Sequence, residues 1–153
     1  MFPLPEPRAF LPIGRYIEDW SPGDEMITPG RTYTSADLAW FARWMNVEKS
    51  LVMDESHLII AVMFLIQRLG IVEGTGVSNL GSKWTFHHRV TEGDTIWVRI
   101  TCTSARPSRS IDYGGIVSFD LSVENQDHEV VATVDWSVLV LRRDAQVQDM
   151  SVS

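Results

Sequence analysis

Cysteine is nearly absent: Cys102 stands alone in 153 residues. A single cysteine excludes an internal disulfide and fits a reducing, cytoplasmic compartment. Long apolar runs are also lacking. The longest apolar stretch, within Leu58 to Leu69 and broken by Gln67 and Arg68, spans about a dozen residues, where a membrane span needs about 20. Prolines and a Glu precede any apolar run at the N-terminus, which argues against a secretory signal. Positive charge is in deficit, with 13 Lys and Arg against 20 Asp and Glu and a net charge of −7. That balance speaks against nucleic acid or an anionic membrane as partner, unless Arg106, Arg109, Arg142 and Arg143 gather into a local basic patch. Internal repeats, low-complexity segments and zinc-type ligand spacing are missing, so no metal or cofactor is expected.

What remains is the composition of an ordinary globular chain, 44% hydrophobic and 22% charged, long enough for one domain with a real core. Residues 1–14 carry four prolines and read as an extended arm; residues 15–143 read as the domain, and 144–153 as a solvated tail. Two phrases match: Ser21-Pro22-Gly23-Asp24 and Glu92-Gly93-Asp94-Thr95. Each couples a Gly that permits a turn to an Asp that can bond the backbone before a β-rich run. Between them, the sequence predicts a strand over 25–34, interrupted near Pro29-Gly30. A helix follows, capped by Thr34 or Ser35 with Asp37 in its first turn. Its apolar face is Leu38, Phe41, Ala42 and Met45.

A second helix starts at Asp54 or Ser56 and closes at Gly70. It is apolar all round and so should be buried on every side. Residues 73–81 read as a Gly-rich loop. Strands are predicted over 83–90, 95–104, 115–124 and 130–141, with a hairpin turn at Asn125-Gln126-Asp127-His128. Ile96, Val98, Ile100 and Cys102 share one face, as do Val117, Phe119, Leu121 and Val123. The expected class is α+β, a hot-dog fold in which a curved antiparallel sheet wraps a central buried helix. The strand edges of such a sheet call for pairing with a second copy or a related subunit.

Four segments carry a resemblance, in order: Pro22-Gly23-Asp24 through Thr34 to Ala42, the apolar helix, Lys83-Trp84-Thr85-Phe86 through Thr95, and Val123 to the closing strand. The chain resembles the MaoC-like branch of hot-dog proteins, the (R)-specific enoyl-thioester hydratases and dehydratases. The resemblance implies an acyl-thioester or polyketide-like substrate carried by coenzyme A or a carrier protein, and lyase-type chemistry at a dimer or hetero-oligomer interface. It also implies a catalytic Asp and His between the two helices. At those positions this chain carries Val47 and Val52, neither of which transfers a proton. His57-Leu58 stands near the place of the family's His-Gly phrase, without the Gly.

Asp54 and His57, three apart at a helix start, offer two readings. They form a relocated acid–base pair, or Asp54 is a helix cap beside a polar neighbour. His87 and His88 lie in a predicted strand, so one ring faces inward, and His88 is taken as a substrate contact. Trp40, Trp44 and Trp84 serve either packing or an aromatic-walled pocket. Tyr113, before two glycines, opens a strand where a ligand or a bend is accommodated. Three functions stand open: an acyl-thioester lyase with non-standard residues, a non-catalytic subunit that pairs with an active homologue, and a ligand-binding protein.

Overall fold

Alternation of apolar and polar residues builds six strands into one antiparallel sheet around a central helix. The computed structural model describes residues 13–145. A short 3-10 helix, Ile17–Asp19, precedes β1 (Glu25–Ile27) and β2 (Arg31–Thr32). Helices α1 (Ser35–Met45) and α2 (Glu55–Gln67) follow. The long strands are β3 (Gly76–Phe86), β4 (Thr95–Pro107), β5 (Gly114–Asn125) and β6 (Val130–Leu141). The order across the sheet is β1-β4-β5-β6-β3, with β2 also on β4. The crossing from β2 to β3 thus runs through α1 and α2, that from β3 to β4 through residues 87–94, and β3 forms one edge of the sheet.

The two matched phrases fold alike. Asp24 Oδ2 accepts from the Ser21 backbone N–H at 3.0 Å, and Asp94 Oδ2 from that of Thr91 at 2.8 Å. Gly23 and Gly93 take φ of +95° and +89°, which a side chain would oppose. Gly23 then donates to Cys102 O in β4, and Gly93 to the O of buried Tyr33 just after β2, so each turn is stitched to the core.

Thr34 caps α1 in a capping box with Asp37, and Asn46 ends it in the left-handed region at φ 55°. Leu38, Phe41 and Ala42 are buried as expected, but Met45 is 44% exposed. Its position in the last turn, just before the left-handed residue, carries it past the edge of the core.

Helix α2 lays Leu58, Ala61, Val62, Leu65 and Ile66 against the inner faces of β4, β5 and β6, where Ile96, Val98, Val117 and Val123 are wholly buried. Each fully buried aliphatic side chain is worth about 1.5–3 kcal/mol over an exposed one. The expectation of burial on every side is corrected: Phe64 is 63% exposed, and Ile59, Ile60 and Met63 are half-buried. One sheet curves around only part of a helix's circumference, and this stripe looks outward.

The predicted loop over 73–81 is also corrected. β3 already begins at Gly76, and its register against β6 shifts between Gly76 and Ser78 and between Asn79 and Gly81. The glycines read as loop signals are bulge positions in an edge strand. Among the described residues, no helix is long and apolar enough to cross a membrane.

Candidate ligand cleft at the start of the central helix

The connector after α1 is held in place by backbone bonds to the segment after β3. Met53 donates to Val90 O at 2.7 Å, and Glu92 donates to Leu51 O at 2.9 Å. Val52 and Thr91 form an antiparallel bridge. This clamp leaves a cleft of about 550 Å³ in front of the α2 N-terminus. Val47, Glu48, Ser50 and Val52 line one wall, Asp54 and Leu58 the helix start, and Phe86, His87 and His88 the opposite wall. The volume is in the range that holds a small-molecule ligand.

The two histidines depart from the strand reading. β3 ends at Phe86, and the backbone N–H groups of His87 and His88 both donate to Val131 O, at 2.8 and 3.1 Å. Two residues sharing one acceptor break the alternation, so both line the same cleft instead of facing opposite ways. His87 Nε2 lies 3.1 Å from Thr133 Oγ1.

Asp54 and His57 are not brought together. Asp54 is the N-cap of α2, its carboxylate accepting the Ser56 backbone N–H at 2.8 Å. His57 points to a separate recess with Tyr33, Asp37, Trp40 and Phe41. The residue is 7% exposed, and its ring stacks on Phe41 at 4.3 Å and meets Tyr33 edge-on at 6.0 Å. Burial lowers the His57 pKa, with Asp37 opposing, Arg31 adding to the shift and Asp54 opposing. Burial thus favours the neutral imidazole. Asp37, whose pKa is lowered chiefly by the Thr34 backbone N–H, is tied to Arg31 at 2.8 Å.

The aromatic candidates separate as well. Trp40 and Trp44 stack on each other at 5.9 Å on the outside of α1, 64% and 65% exposed. Trp84 is half-buried and stacks on Phe86, so it backs the cleft wall without lining it. Tyr113 sits at the far end of the sheet, its carbonyl accepting from Arg142 N, and takes no part in the cleft. Glu48, Phe86 and Arg89 line the cleft without having been singled out in the sequence. Their only prior signal was closeness to the connector and to the His-His pair. Among the described residues, no group of three or more His, Cys, Asp or Glu is placed to hold a metal.

A curved antiparallel sheet wrapped around a central helix is the hot-dog fold. Within that class the chain is similar in sequence to a MaoC protein, and it shares its fold with MaoC-like dehydratases. It is 32% identical over 117 residues to protein MaoC of Klebsiella aerogenes, a match covering 66% of this chain and 35% of that protein. The chain thus spans about a third of the length of the curated relative it matches. The MaoC-like dehydratase from Rhodospirillum rubrum shares the fold at a TM-score of 0.76 and 23% identity, over 85% of this chain and 99% of that one. The HadBC 3R-hydroxyacyl-ACP dehydratase complex of Mycobacterium tuberculosis shares it at 0.58 and 17%, over 75% and 95%. No family model matches the chain.

Proposed function

We propose that this chain serves the hydration or dehydration of an acyl thioester, a lyase-type reaction, as a MaoC-like subunit that holds the acyl group while a second hot-dog chain supplies the proton-transfer pair. The observation that carries this reading is that Val47 and Val52 line the cleft, at the positions where the resemblance implies the catalytic Asp and His. Asp54 is committed to the helix backbone and His57 is turned into an aromatic recess, so neither replaces that pair. The cleft keeps what binding needs: apolar walls from Val47, Val52, Leu58 and Phe86, and the positive end of the α2 dipole beside it. The carrier, whether coenzyme A or a carrier protein, would enter over the rim formed by Glu48 and His88.

A second reading has its own observation. His87 and His88 share the cleft with the carboxylates Glu48 and Asp54, so an imidazole there could act as acid or base. One experiment separates the two. Butyryl-pantetheine is titrated calorimetrically into the purified chain, and crotonyl-pantetheine hydration is assayed beside it. Saturable binding that is lost in Val52→Trp, with hydration no faster than in buffer, supports the subunit reading. Hydration that collapses in His88→Ala supports catalysis in the chain's own cleft. Absence of saturable binding overturns both.

A further inference from the structure

At the end of the sheet away from the cleft, the connection between β4 and β5 gathers positive charge in an otherwise acidic protein. Arg106, Ser108, Arg109 and Ser110 line one concave surface there, and Ser108 to Ser110 with Arg142 line the one beside it. The loop is held in shape from within. The Ser110 and Ile111 backbone N–H groups both donate to Ser108 Oγ at 3.3 Å, and Ser108 N donates to Gly114 O at 3.1 Å. Arg142 braces its far side by donating to the Asp112 carbonyl at 3.2 Å.

What sets this patch apart is that two arginines free of carboxylates share one concavity. Among the described residues, Arg15, Arg31, Arg99, Arg142 and Arg143 are all engaged by carboxylates. Arg106 and Arg109, like Arg43, Arg68 and Arg89, take part in no ion pair among the described residues, although the chain carries seven more acidic than basic residues. Both are exposed and share one concavity with two hydroxyls. Ser108 Oγ and Ser110 Oγ are bonded to each other at 3.3 Å, which leaves one hydroxyl to donate outward. Two unpaired guanidiniums beside it are a donor set suited to phosphate, which accepts forked N–H contacts and hydroxyl bonds together.

We infer that Arg106 and Arg109, with the Ser108–Ser110 loop, form a binding site for a phosphate or pyrophosphate group. The site is distinct from the acyl cleft. β5 alone has twelve residues between the two ends of the sheet, about 36 Å at about 3.3 Å per residue. The inference does not rest on the proposed function, because it needs neither an acyl group nor a lyase reaction. Asp112 lies in the adjoining concavity and favours a ligand seated on the Arg106 side.

The test is calorimetric titration of the full chain with inorganic pyrophosphate at low ionic strength. Saturable binding is expected, weakened about tenfold or more in the Arg106→Ala/Arg109→Ala double variant, as loss of two charge-assisted contacts would give. A control pair, Arg43→Ala/Arg68→Ala, removes two other unpaired arginines and should leave binding unchanged. Circular dichroism checks that each variant is folded. No saturable binding to the wild type, or equal loss in the control pair, overturns the site. Competition by coenzyme A but not by pantetheine would identify the source as a nucleotide-type carrier; no competition by either would identify a free phosphorylated compound. Since the acyl cleft is tested with pantetheine thioesters that carry no phosphate, failure of one inference does not entail failure of the other.

Discussion

The imidazole of His57 lies flat against the ring of Phe41, with centroids 4.3 Å apart and planes within 9°. This contact ties the first turn of α2 to the middle of α1, and it removes His57 from the cleft that Asp54 borders. The packing of the two helices therefore includes a titratable group, which gives stability a pH dependence.

Burial lowers the His57 pKa in the folded protein, whereas the unfolded chain takes up a proton near the ordinary value of about 6.5. Below that pH the unfolded state binds more protons than the folded one. The His57 contribution is therefore fully present above about pH 6.5 and is lost as pH falls toward the lowered folded value. His57→Phe keeps the stack and removes the charge. Urea denaturation at neutral and mildly acidic pH should show a smaller loss of stability on acidification in the variant than in the wild type.

Asp54 acts as a cap. Asp54→Ala should cost about 1 kcal/mol of stability, and Asp54→Asn much less, because Asn also caps well. His57→Ala should leave butyryl-pantetheine binding in the cleft within a factor of about two, since an averted side chain contributes little to that affinity. A tenfold loss on His57→Ala with the fold intact would restore the acid–base reading of the pair.

Thr75 is wholly buried, and its hydroxyl has no hydrogen-bond partner among the described residues. A buried donor left unpaired costs about 1–3 kcal/mol. Thr75→Val should stabilise the protein by about 1 kcal/mol in chemical denaturation, provided the added methyl fits beside Gly14, whose backbone packs against that hydroxyl.

The free edge of β3 and the outward stripe of Ile60, Met63 and Phe64 on α2 leave backbone donors and apolar surface without partners among the described residues. Sedimentation equilibrium should give a dimer at micromolar concentration. Leu80, 49% exposed on β3, is a point at which to weaken it, and Leu80→Asp should shift the equilibrium toward monomer. A stable wild-type monomer would remove the dimer expectation.

Much of the architecture was legible because local chemistry specified it. The Asp24 and Asp94 turns, the Thr34–Asp37 capping box and the strict alternation of β4 and β5 each depend on residues within a few positions of one another. β6 begins and ends where the alternation does, at Val130 and Leu141. The class of fold followed from one apolar helix and several long alternating strands, and the MaoC-like resemblance from the order of the segments.

The tertiary structure alone decided where the chemistry-bearing side chains point. A spacing of three places two residues on one helix face only if both are helical, and Asp54 is the non-helical cap, its carboxylate turned to the backbone. The sequence could not show that Phe41 and Tyr33 would enclose His57, since that depends on α1 packing across α2. Nor could it show that β3 would stop at Phe86, because the two backbone donors of His87 and His88 converge on one carbonyl of β6. Local turns and caps are short-range and can be read residue by residue. The cleft is made by a connector, a helix start and a strand end from different parts of the chain, and only the closing of the sheet around the helix brings them together.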